Sequence, residues 1–261
     1  MEYLDVEEAR ERPGLRLVLT SGVPGPWGEA AKALFTVKGV EFAPVAQAPG
    51  QPNEALFEWT GSRNAPVAIL DDEPAVSGWN EMVVLAERLA PEPALLPEDA
   101  EARALVLGLS HEICGPDGFG WCRRLWMLHA ALSQIPSERL ADPAFAILRT
   151  LASRYGYDPA RIGAVRQRIA ALLRLFSNRL HAQRERGSAY LVGGSLSAVD
   201  LHWATFAAMV EPLPAKQCPM PEPLRAGYSL SDPELRAAAD PILLEHRDHV
   251  YREHLTLPLD F

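Results

Sequence analysis

Leu15, Leu17, Val18 and Leu19 crowd together just after Pro13-Gly14, an apolar run that predicts a short buried strand over Leu15–Thr20. The stretch Ser21–Gly28 carries three glycines and two prolines and must be a loop. Glu29–Lys38 then has the Ala, Leu and Lys content of a helix, stopped by Gly39. Val40–Val45 alternates as a second strand, and Pro49–Arg63 is polar and broken by proline and glycine. Pro66–Leu70 reads as a strand entering the turn Asp71-Asp72-Glu73-Pro74, with Ala75 and Val76 as a short partner strand. Met82, Leu85, Ala86 and Leu89 share one face of a helix over Asn80–Leu89. Residues 1–90 therefore alternate strand and helix, as an α/β domain does.

The pattern changes after the segment Pro91–Pro97, whose three prolines cannot sustain a helix and which reads as an interdomain linker. Only helical periodicity follows. Arg103–Cys114 and Trp121–Leu132 are apolar at helical spacing, separated by the glycine-rich Gly115–Gly120. Arg166–His181 places Ile169, Leu172, Leu173, Phe176 and Leu180 on one stripe, the mark of a half-buried helix. Ser197–Val210 is apolar on nearly all sides, so it belongs inside a bundle, and Ser197 with Asp200 has the spacing of an N-terminal capping box. A proline-rich stretch, Pro212–Pro223, leads to a charged final helix over Pro241–His254, and no internal repeat is present.

Composition narrows the class. The chain has 261 residues, 48% hydrophobic, enough for a sizeable core in one large or two modest domains. Its 25 Lys plus Arg against 34 Asp plus Glu give a formal charge of -9, which argues against a nucleic-acid partner. No uncharged apolar run approaches the roughly 18 residues needed to span a bilayer, so no membrane partner is expected. Met1–Arg12 is acidic and lacks the basic start and apolar stretch of a signal peptide. Three unevenly spaced cysteines, Cys114, Cys122 and Cys218, suit a reducing compartment, and the expected location is cytoplasmic.

A small α/β domain, a proline linker and a helical domain with a capped central helix resemble the cytosolic glutathione transferases. Three segments carry the resemblance, which extends to about residue 210: Gly25–Lys32, where that family opens its first helix with a proline turn; Asn64-Ala65-Pro66-Val67, similar to its cis-proline motif; and Tyr190–Leu201, similar to its tyrosine-leucine, glycine and capping-box run. The fold so implied is α/β plus all-α: a thioredoxin-like glutathione-binding domain over residues 1–90, a linker over 91–98, and a helical bundle over 99–261 supplying the second-substrate pocket. The implied activity is thiolate addition, reduction or isomerisation on a small apolar electrophile, with glutathione as co-substrate, in a homodimer. A non-catalytic binding or structural module of the same fold is the alternative.

Residue by residue, the resemblance assigns glutathione contacts to Trp27, Asn64, Ala65, Pro66, Trp79 and Asn80, and the second pocket to the region of Cys114, Trp121 and Trp126. It also implies a cis Ala65–Pro66 bond. Two positions depart from the family pattern. Gly25 stands where a Ser, Thr or Cys usually meets the glutathione thiol, and Gly78-Trp79 stands where an acid-serine pair usually grips the γ-glutamyl end. Ser21, at the end of the first strand, is the nearest candidate for a catalytic hydroxyl, although such a residue also serves simply to stabilise a turn. Trp27 and Trp79 are each a pocket wall or plain packing. No metal site is expected: His246, His249 and His254 have no Cys or carboxylate cluster to complete a tetrahedral set. Gly115–Gly120 has the wrong spacing for a nucleotide loop, and Ser197, Asp200 and His202 are explained by capping rather than by a hydrolase triad.

Overall fold

The computed structural model describes residues 1–261. Its α/β half runs α1 (Val6–Glu11), β1 (Leu15–Thr20), α2 (Pro26–Val37), β2 (Ala43–Gln47), α3 (Glu54–Thr60), β3 (Val67–Leu70) and α4 (Trp79–Leu89). The sheet has the order β2-β1-β3, with β1 parallel to β2 and antiparallel to β3. Val76 pairs with Ala68 as a further short antiparallel rung, where the sequence predicts a partner strand. On the other edge Leu4 bridges to Val45, so the N-terminal segment covers the free side of β2.

Strand alternation divides the core. Leu15, Leu17 and Leu19 face α2, α4 and the helical half, whereas Val18, Val45, Val67 and Ile69 face α1 and α3, closing a second small core with Ala9 and Leu56. Coverage of both faces explains why Leu17, Val18 and Leu19 run together in β1 without polar alternation. Arg16, also on the second face, is buried because its guanidinium donates to the carbonyls of Arg12 (2.6 Å), Gly14 (3.2 Å) and Asp71 (2.7 Å).

Three local differences from the sequence pattern have physical reasons. The lead-in forms α1 because Asp5 accepts from the Glu8 N–H at 2.9 Å, a capping box in a segment too short to show periodicity. β2 starts at Ala43 rather than Val40, since Val40 still closes the end of α2 through a hydrogen bond to the Phe35 carbonyl. The broken stretch Pro49–Arg63 contains α3, bracketed by left-handed Asn53 and Gly61 and burying only Leu56 fully.

Beyond residue 91 come α5 (Ala100–Cys114), α6 (Phe119–Leu132), α7 (Ala146–Arg154), α8 (Ile162–Glu185), α9 (Ala198–Phe206), α10 (Glu222–Tyr228), α11 (Pro233–Ala238) and α12 (Ile242–His254). All nine residues of α9 are buried, and it packs on α2, α5 and α12. The apolar core is continuous from β1 and α2 through α9 to α12. No helix is long and apolar enough to cross a membrane. The segment Pro91–Pro97 is anchored rather than loose. The buried Lys38 ammonium meets the Pro91 carbonyl (3.1 Å) and Glu87 (2.6 Å), Glu87 accepts from the Leu95 N–H (2.8 Å), and the Leu95 carbonyl accepts from the Ala198 N–H (2.8 Å).

Candidate functional site

Pro26 occupies the first position of α2, where its missing N–H costs nothing. The next two N–H groups, of Trp27 and Gly28, have no acceptor in the protein. Gly25 is the N-cap at φ -66° and ψ 131°, and a Cβ built there meets nothing within 4 Å. Ser21 uses its main-chain N–H on the Gln47 carbonyl (3.2 Å), while its hydroxyl has no protein partner; the Thr20 hydroxyl is committed to Gln47 Oε1 at 2.9 Å.

Trp27 points away from solvent into the junction of the two halves. Its indole N–H donates to the Cys114 carbonyl at 3.0 Å, its ring stands edge-on to Phe206 with centroids 4.8 Å apart, and Gly120 makes room for both rings. Trp79 likewise packs between His111 and His202, at 6.2 and 5.8 Å between ring centres.

The Ala65–Pro66 peptide bond is cis. Ala65 lies just before β3, and neither its N–H nor its C=O has a partner in the protein. Asn64 accepts a hydrogen bond from Arg154 at the end of α7, and Ile147 of the same helix packs on Gly50. The α6–α8 connection thus reaches over the loops that flank Ala65, a closeness no local pattern announces.

At the start of α4 the protein supplies its own anion. The Glu81 carboxylate accepts from the Gly78 N–H at 3.0 Å, and a Cβ on Gly78 would stand 2.7 Å from Glu81 Oε2 and 2.9 Å from Asn80 Oδ1. Both close atoms are ends of exposed side chains, so a Cβ here would only require the Glu81 and Asn80 side chains to turn aside.

The residues expected in a second pocket do not converge on one spot. Cys114 is buried and its thiol is pushed well up by desolvation. Trp121 packs on Tyr155 with ring centres 4.7 Å apart, and Trp126 lies against Arg166, which is paired with Asp232. Burial also pushes Cys122 up to about 12 and raises Cys218, so all three thiols are protonated and enclosed at neutral pH.

His202 is fully buried, with Nδ1 2.9 Å from the Ser110 hydroxyl, and desolvation depresses it to about 4 despite the neighbouring Asp200. A histidine kept neutral in the fold but free to protonate near 6.5 when unfolded contributes stability fully above pH 6.5, lost as pH falls toward 4. Stability is expected to drop by about 2 kcal/mol between pH 7 and pH 5 from this group. Urea unfolding at the two pH values, with His202→Gln flattening the difference, checks it.

Strand, helix, strand, cis-proline strand and capped helix, followed by a bundle around a buried central helix, define the glutathione transferase fold. A glutathione S-transferase from Methylobacillus flagellatus KT, solved with glutathione bound, superposes with a TM-score of 0.63 at 14% identity, covering 92% of this chain and 95% of that one. One from Methylobacterium radiotolerans, in complex with glutathione sulfonate, gives 0.60 at 17% identity over 92% and 91% of the two chains. The beta-etherase LigF from Sphingobium sp. strain SYK-6 gives 0.56 at 18% identity over 90% and 99%. No protein-family model matches the sequence, and neither does any curated protein.

Proposed function

We propose that this chain binds glutathione and uses it as a co-substrate, in the manner of the structural neighbours solved with that tripeptide or its sulfonate. One observation carries the reading: the main-chain groups of Ala65, Trp27 and Gly28 are left without partners in the protein. An extended peptide pairs with Ala65, and the two N–H groups at the positive end of α2 face a thiolate. The α4 terminus takes the γ-glutamyl carboxylate, and Glu81, exposed beside it, takes the ammonium. The reaction is attack of the thiolate on an electrophile, or the related reduction or isomerisation. A free thiol with pKa near 8.5 is only a few per cent ionised at pH 7, so lowering that pKa is the chemical task.

Gly25 favours a second reading, a glutathione-binding module without turnover, because it offers neither hydroxyl nor sulfur. Calorimetry followed by assay with a chloronitroaromatic electrophile separates the two. The expected dissociation constant is micromolar to millimolar, since a lost charge-assisted hydrogen bond costs about 1.5–3 kcal/mol, one to two powers of ten. No heat at several millimolar glutathione rejects both readings; binding without turnover selects the module.

The chain is further proposed to work as a cytoplasmic homodimer. Phe57 on α3 and Val84 on α4 expose apolar side chains on the α/β half, which supports pairing there. Light scattering at tens of micromolar protein is expected to give the dimer mass, and a monomer mass counts against it.

A further inference from the structure

The α6–α8 connection brings one basic side chain to the edge that Ala65 leaves open. Ile147 and Arg154 are seven residues apart on α7, two helical turns, and therefore share a face. That face lies on the α/β half: Ile147 packs on Gly50, and the Arg154 Nη1 donates to Asn64 Oδ1. Arg154 and Asn64 are both exposed, so the space beside them is open to solvent. The Arg154 Nε and Nη2, one edge of the guanidinium fork, have no acceptor in the protein, and no carboxylate lies within ion-pair distance.

The α/β half has no free cation of its own at this place. Arg63, the residue before Asn64, is held by Glu54 and by the Pro52 carbonyl, both at 2.7 Å. Arg10, Lys32, Lys38 and Arg88 are each paired with a carboxylate, and Arg16 is held by main-chain carbonyls. Arg12 precedes β1, at the opposite end of that strand from Ala65, since Leu15 pairs with Leu70 and Val18 with Val67.

We propose that Arg154 binds the C-terminal carboxylate of the peptide thiol, and so makes the site selective for a peptide that ends in a free carboxylate. This deepens the glutathione reading above and rests on it. The N–H and the C=O of Ala65 are both free, and a single residue opposite satisfies both only in antiparallel pairing. A peptide so paired runs against the direction Asn64-Ala65-Pro66, and its C-terminal neighbour falls on the Asn64 side. With the cysteine of glutathione opposite Ala65, that neighbour is the glycine. One extended residue advances about 3.3 Å, less than the reach of an arginine side chain, which brings the glycine carboxylate to the free edge of Arg154. Two parallel N–H donors match the two oxygens of a carboxylate, whereas a neutral amide offers them only one acceptor. Because α7 belongs to the helical half, the tripeptide is gripped from both halves of the chain.

Glutathione and its glycinamide form, in which the terminal carboxylate is a neutral amide of the same shape, are titrated calorimetrically into the full chain. The wild type is expected to bind glutathione about tenfold more tightly than the amide, the worth of a charged hydrogen-bonded pair reduced by exposure. Arg154→Gln should weaken glutathione by the same factor and leave the amide unchanged, which erases the preference. Arg154→Lys keeps the charge without the fork and should retain part of it. A role confined to holding Asn64 would weaken both peptides alike. That result, a preference that survives Arg154→Gln, or equal affinities in the wild type overturns the proposal and leaves glutathione binding standing. No heat from either peptide at several millimolar overturns the glutathione reading, and the proposal with it.

Discussion

Gly25→Ser is expected to raise kcat/KM for glutathione conjugation at least tenfold. The backbone already has the geometry of an N-cap, with φ negative, and the added Cβ meets nothing within 4 Å, so the substitution introduces no strain. Serine is preferred over glycine at this position by a few tenths of a kcal/mol, so stability should rise slightly if it changes. The new hydroxyl can accept from the Gly28 N–H, which lacks a partner, while donating its proton to a thiolate in front of α2. Removing one preorganised donor from an oxyanion site costs about a hundredfold to a thousandfold, and adding one to a site not shaped around it should recover part of that. Gly25→Ala supplies the Cβ without the hydroxyl and is expected to match the wild type. The bound thiol, followed by its ultraviolet thiolate absorbance, should titrate lower in the serine variant. A folded Gly25→Ser protein with wild-type rate and wild-type thiol titration would place the sulfur somewhere other than the α2 terminus.

How much of this was legible in the sequence follows from the range of each interaction. Capping at Ser197, the cis-proline strand and the all-round apolar α9 are local spellings, and each is found where the residues place it. The two departures, Gly25 and Gly78, are equally visible, but their surroundings differ. Gly78 lies against the side chains of Asn80 and Glu81, two and three residues on, whereas Gly25 faces open space in which a side chain would fit. Sequence alone presents both as the same absence.

What stayed hidden is what depends on distant segments. Pro91–Pro97 reads as a loose linker because its prolines are conspicuous, while its anchoring comes from Lys38, Glu87 and Ala198. Trp27 is ambiguous until Gly120 and Phe206 are known to receive it. Arg123 reaches the Tyr228 carbonyl across 105 residues, a partnership that no local pattern in α6 announces. Arg154 meeting Asn64 across 90 residues left no signal in either segment.

Asp200→Ala is expected to give the largest loss of stability, about 3–5 kcal/mol, the range for breaking a buried charged network. The carboxylate has no solvent exposure, and it accepts three hydrogen bonds. Oδ2 accepts from the Ser197 N–H at 2.9 Å and the Ser197 hydroxyl at 2.7 Å, which sets the first turn of α9. Oδ1 accepts from the Leu191 N–H at 2.7 Å and lies 3.2 Å from His246 Nε2 on α12. One side chain therefore joins the Tyr190–Leu201 loop, the central helix and the last helix. Alanine removes the acceptor and leaves two main-chain N–H groups buried without partners, each costing about 1–3 kcal/mol. Asp200→Asn keeps one acceptor oxygen but turns an N–H donor toward groups that also donate, so it should fall between alanine and wild type. Ser197→Ala removes only a hydroxyl and should cost about 1 kcal/mol. Urea titrations with unchanged m-values measure all three. A loss below about 1 kcal/mol for Asp200→Ala would mean that α9 is held by its apolar burial alone, and that the capping network orients the loop without stabilising the fold.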